Sequence, residues 1–244
     1  MRRQDGTMRR EAGAGNRSSS SRVRRCGARA TALALCAAWI AAHPLTAREE
    51  ERVPTIPAGT PAVLLPLQST LPTAGGAWPG GAASERETIG LLNAELAFAF
   101  GEEEGAASWA FADRVQDRLD RNPTIKVDPR RLAYHGLLRE PEPHQQIYEP
   151  LHSQLRQVAA LFDARIVVLP LNVSYRGPSE EERARAEAAG EEPLGRAIML
   201  TAIIDVRRSA VLWHGYIEGA PAEATSRAAL TSLALRAAGQ LVPS

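Results

Sequence analysis

Residues 196–219 read RAIMLTAIIDVRRSAVLWHGYIEG, two apolar runs joined by a short charged turn. In the first run Ile198, Leu200, Ala202, Ile204 and Val206 alternate with Met199, Thr201, Ile203 and Asp205. That period of two is the signature of a strand, whose successive side chains point to opposite faces. Arg207, Arg208 and Ser209 supply a tight reversal to Ala210, so the second run returns as a partner strand. On it Val211, Trp213, Gly215 and Ile217 share one face, assigned to the core, and Leu212, His214, Tyr216 and Glu218 share the other. Trp213 and His214 are neighbours in the chain but not in space.

Working outward, the pattern predicts a strand before the hairpin and a helix after it. RIVVLPLNVSY, residues 165–175, places Val167, Leu169, Leu171, Val173 and Tyr175 on one face, with Asn172 and Ser174 on the other. Leu151, Leu155, Val158 and Phe162 mark a helix leading into it, and Ala229, Leu230, Leu233 and Ala237 mark the last helix, which stops before Pro243. Between strand and hairpin, residues 176–195 are polar, acidic and without an apolar face, as expected of an exposed insertion. Further upstream, AVLLPLQ (62–68) reads as a buried strand, and a Gly/Pro-rich loop containing Trp78 follows. Ser84 and Glu87 form a capping box opening a helix along Ile89, Leu92, Leu96 and Phe100. Trp109 to Phe111 suggests a very short strand, and Asp113 opens a helix ending at Asn122-Pro123. Residues 124–150 hold four prolines and read as loop with a turn or two of helix near 130–138. The whole is a single α/β (α+β) domain over 62–244. Its sheet is mixed, mainly antiparallel, of about four to five strands, with helices burying one side and the loop after the first strand joining an interaction surface.

The first 47 residues differ from the rest. Nine arginines against two acids precede an apolar run, Ala30–Ala42, and a small residue, Ala47, ends the segment. This is the order of a secretory signal peptide, and the run is too short to span a membrane. Cys36 follows bulky Leu35, where lipoprotein processing prefers a small residue, so a soluble exported form is expected. Residues 48–61, charged and then proline-rich, read as a flexible linker. Removal of 1–47 takes away both cysteines, Cys26 and Cys36, and with them any thiol nucleophile, disulfide framework or thiolate metal site. It also leaves 20 basic and 26 acidic residues, and a net charge near −6 argues against nucleic acid as a partner. The expected compartment is the periplasm or cell envelope, with no integral span after cleavage.

AVLLPLQ with its amphipathic helix, the helix running into RIVVLPLNVSY, and the hairpin with VLWHGYIEG and a last helix together resemble the envelope α/β domains of the TolB amino-terminal, CsgG and LpoB type. In that group the first strand commonly reads like VAVLPF and the penultimate strand carries a Leu-Trp pair, here Leu212-Trp213. The likeness spans residues 62–241. It departs from the pattern in its turn without glycine and in the longer, proline-rich 101–150 region. The resemblance implies a periplasmic or envelope module for protein contacts and assembly, without catalysis.

The chemistry-bearing residues agree with that. There is no P-loop, GxGxxG, GxSxG or HExxH motif, and Lys126, the only lysine, lies in a proline-flanked loop. Glu142, His144, Glu149 and His152 are residue types suited to zinc, but their irregular spacing among prolines puts no two on one helix face, so neither a metal nor another cofactor is expected. The expected role is therefore a non-catalytic protein-binding or assembly module with an envelope protein as partner. Its predicted binding residues are Trp78, as an aromatic anchor at a loop tip, and Thr201, His214 and Tyr216 on the hairpin. Two alternatives are a periplasmic hydrolase or metal-dependent enzyme drawing on His135, His144 or His152, and a small-molecule sensor domain with a closed apolar cavity.

Overall fold

A computed structural model describes residues 53–70, 78, 81–139, 145–224 and 226–242. The predicted signal peptide over 1–47 and residues 48–52 of the predicted linker lie outside these residues. Four strands form one sheet in the order β1-β2-β3-β4: β1 (Ala62–Leu64), β2 (Ile166–Arg176), β3 (Gly195–Asp205) and β4 (Ala210–Ala222). β1 runs parallel to β2, and the other two pairings are antiparallel, as predicted for a mixed sheet. The helices are α1 (Gly81–Gly101), α2 (Ala112–Asp120), α3 (Leu151–Ala160), α4 (Glu180–Ala189) and α5 (Arg227–Leu241), with short 3-10 turns at Glu104–Ala106 and Tyr134–Leu137. The architecture is an α/β domain.

Helices cover both faces of the sheet, not one. Leu92, Leu96 and Phe100 of α1 and Leu230, Leu233 and Ala237 of α5 pack with Val168, Met199, Ile203 and Trp213 on one side. Val115 of α2, Leu155 and Val158 of α3, and Leu137 pack with Val167, Leu169, Leu200 and Ile204 on the other. The sequence itself contains the reason: β2 and β3 are apolar at nearly every position, so each of their faces needs a cover. Across the first layer Glu95, 6 % exposed, accepts from Arg227 Nε at 2.6 Å and from Thr231 Oγ1 at 2.9 Å, joining α1 to α5.

Of three register shifts in the sheet, two bear on the predicted faces. Opposite β3, Pro170 pairs with Thr201 and Asn172 with Leu200, so Leu171 is an extra residue on β2. Likewise Ile204 pairs with Val211 and Ile203 with Trp213, which makes Leu212 extra on β4. A bulge moves every later side chain to the other face. Consequently Leu169 and Leu171 meet the α2/α3 layer while Val173 meets α1 and α5, and Val211 and Trp213 lie on opposite faces. The expectation that these sets each share one face fails there. α1 begins one turn before Ser84, so the proposed cap lies inside the helix, and the Trp109–Phe111 strand reduces to a single parallel bridge, Val63 with Ala110. The acidic insertion contains α4, capped reciprocally by Ser179 and Glu182 and burying no residue.

Candidate functional site

The chain turns from β3 to β4 through Val206–Ser209, and Asp205 organises that turn. Its carboxylate is fully buried. Oδ1 accepts the backbone N–H of Arg207 at 3.0 Å and of Arg208 at 3.1 Å, while Oδ2 accepts Arg165 Nε at 2.9 Å and Nη2 at 2.7 Å. Burial alone would raise the carboxyl's pKa, but the Arg165 guanidinium and the turn amides outweigh it and hold it below its ordinary value. The same contact raises Arg165. Ser209 closes the turn with φ of 55°, the left-handed region uncommon for residues other than glycine, asparagine and aspartate. Residues 145–147 run alongside: Ile147 N–H donates to Ser209 O at 2.8 Å, and Val211 N–H to Gln145 O at 3.0 Å.

Held this way, Ser209 Oγ lies 2.7 Å from His152 Nε2 in the first turn of α3. The other ring nitrogen, Nδ1, stands 3.4 Å from Glu149 Oε1. Glu149 is anchored in turn by the Ser153 N–H, at 3.2 Å from Oε2. The Ser153 side chain first, then its backbone and the neighbouring imidazole, lower the Glu149 pKa against a smaller opposing effect of desolvation. A broad, open cleft of about 880 Å³ adjoins these groups, lined by His152, Ser153, Arg156, Gln157, Asp163, Arg207 and Ser209 among others. Arg207 Nη2 is 3.5 Å from Asp163 Oδ1, both well exposed, so the rim of the cleft carries two guanidiniums and one partly compensating carboxylate.

Of the histidines singled out with this region, His135 is exposed and stacks on Tyr134 with ring centroids 4.7 Å apart. Glu142 and His144 lie outside the described residues. Among the described residues no group of three or more His, Cys, Asp and Glu side chains is placed to hold a metal.

The four predicted binding residues do not form one patch. Trp78 is half-buried against the α1/α5 core, its indole edge-on to Tyr175 at 6.4 Å. Thr201 is completely buried between Pro170 and Gly215, on the α1/α5 face. A Cβ on Gly215 would come within 2.6 Å of Trp213, whose ring folds across it. His214 pairs with Ala202, not Thr201, and its Nε2 lies 2.7 Å from Leu137 O beneath the other layer. Tyr216 alone is open, 48 % exposed on β4, in company with Leu212 at 39 %.

Sequence reasoning passed over Ser209 because its partner is 57 residues away and no short motif joins them. The turn sequence itself carries no mark of it, because the left-handed φ of Ser209 that aims its side chain comes from the folded turn. No protein-family model matches the chain, and no curated protein matches it either.

Proposed function

We propose that the chain is an exported cell-envelope domain that binds another protein, acting as a contact or assembly module. One observation carries the reading: β4 is the outer strand of the sheet and presents Leu212 and Tyr216 to solvent. Among the described residues, pairing on its outer side is limited to the bridge between Gln146 and Ala210. An edge strand with exposed large side chains is a template for a partner segment, which gains main-chain hydrogen bonds along the edge and side-chain contacts beside it. Tyr216 is then the anchor, its burial worth about 2 kcal/mol or more. Trp78 packs on the α1/α5 side against Tyr175, so it braces the sheet from the layer opposite the one that Leu200, the partner of Tyr216, faces. The leader over 1–47, the thiol-free remainder and the resemblance to envelope α/β domains support the compartment.

Fractionation and co-purification test it. The mature chain should lack the first 47 residues and appear in the envelope or periplasmic fraction. A partner recovered with the wild type should be lost with Tyr216→Ser and weakened with Trp78→Ala, at unchanged thermal stability for the former. Retention of the leader in a cytoplasmic product would refute the compartment. Equal recovery of every partner with Tyr216→Ser would refute the β4 surface.

A further inference from the structure

We propose that Ser209, His152 and Glu149 act as nucleophile, general base and orienting carboxylate, and that the cleft beside them hydrolyses small carboxylic esters carrying a negative charge. This activity goes beyond the binding role and does not depend on it. The geometry is that of an activated hydroxyl: Oγ at 2.7 Å from one imidazole nitrogen, with a carboxylate oxygen 3.4 Å from the other. A serine hydroxyl is a weak nucleophile until a base within hydrogen-bond reach takes its proton. Two segments contribute: the hairpin turn, which carries Ser209, and residues 149–152 at the start of α3, which carry Glu149 and His152. The buried Asp205 carboxylate and the Gln145–Ile147 bridge fix the turn that carries Ser209, so the hydroxyl is placed in advance. The left-handed backbone at Ser209, unusual for a serine, directs Oγ at an imidazole that lines the open cleft.

In the acylation step, with Nδ1 protonated toward Glu149, Nε2 accepts the Ser209 proton as Oγ bonds to the acyl carbon. The tetrahedral oxyanion collapses, the C–O bond to the alcohol breaks, and the leaving alkoxide takes the proton from Nε2. Water then adds to the acyl-serine, giving its proton to Nε2, and Oγ leaves and regains it. The sum is ester plus water to acid plus alcohol. Arg156 and Arg207 on the cleft rim supply positive charge for the oxyanion and for an anionic substituent of the substrate. The Glu149 side chain is 62 % exposed, so solvent screens it and its share of the rate is the smallest of the three.

The test uses the full mature chain, p-nitrophenyl acetate, the mono-p-nitrophenyl ester of succinic acid, and a fluorophosphonate probe. Ser209→Gly removes Oγ while relieving the positive φ, so the variant keeps its fold, checked by melting temperature. Wild type should give a fluorophosphonate adduct on Ser209 and hydrolysis favouring the succinate ester. Ser209→Gly should abolish the adduct and lower hydrolysis by about 100-fold or more, His152→Gln similarly, and Glu149→Gln by only several-fold. Arg156→Gln with Arg207→Gln should remove the preference for the succinate ester. No adduct and no hydrolysis by folded wild type, or an unchanged rate in Ser209→Gly, would overturn the proposal and leave the contact as a tie between turn and helix. Equal rates on the two esters would overturn the charge selectivity.

Discussion

Replacing Asp205 with alanine removes the one acceptor around which the β3–β4 turn is built. Four donors converge on its carboxylate, two from backbone and two from Arg165. Each backbone contact contributes about 1 kcal/mol net, and a charge-assisted pair with arginine adds about 1.5–3. The Arg165 side chain is 46 % exposed, so screening trims the latter to about 1. The expected loss is about 3 kcal/mol, a large part of a typical domain's 5–15. Asp205→Asn keeps an acceptor for both turn amides and gives up the charge, so it should lose about half as much. Urea unfolding followed by the fluorescence of buried Trp109 and Trp213 reads both. The pH dependence has a definite sign. Because the folded carboxyl is held below its ordinary 3.8, its advantage over Asn is complete above that value and is lost as pH falls from there through the lower folded value. A loss under about 1 kcal/mol for the alanine variant, or an Asp–Asn difference that does not shrink in acid, would refute the reasoning that net favourable contacts hold this buried charge.

Thr201→Val should raise stability by about 1 kcal/mol in the same assay, because Oγ1 is buried without a hydrogen-bond partner among the described residues and a methyl group fits there at no polar cost. The Glu182 carboxyl, lowered to about 2 chiefly by the Ser179 N–H and then by Arg196, should hold α4 in place above its ordinary 4.5 and release it as pH falls from there toward 2. Amide exchange of residues 180–189 should accelerate over that interval, while the unfolding midpoint moves by only about 0.5 kcal/mol, since α4 buries nothing.

Much of the fold was legible because it rests on local periodicity. The hairpin, α3, β2 and α5 each show one period over enough residues to identify the element, and the polar 176–195 stretch was visible as an excursion from the lack of any apolar face. What escaped is non-local. Bulges at Leu171 and Leu212 depend on pairing with β3, and no feature of either strand alone marks the extra residue. The cover on the second face was also missed, although the unbroken apolar character of IVVLPL already demanded one. For the site, residue type misled. Thr201 and His214 look like a polar surface on a two-faced sheet, yet with both faces covered one is interior and the other reaches Leu137. Tyr216 stays outside on the outer strand, where no further strand of the sheet lies beyond it. The Ser209–His152 contact arises from turn conformation and tertiary placement, neither of which a spacing rule contains.

The excursion between β2 and β3 leaves and re-enters the sheet at a clasp centred on Tyr175. Tyr175 Oη donates to Ala222 O at 2.7 Å and accepts from Gly195 N at 2.9 Å, and any side chain at 195 would strike the Tyr175 ring and Arg176 O. Everything between, residues 177–194, stands outside the core. In evolutionary terms this is a place where length is nearly free: the segment can grow, shrink, or be exchanged for a different recognition element while Tyr175 and Gly195 keep the sheet ignorant of the change.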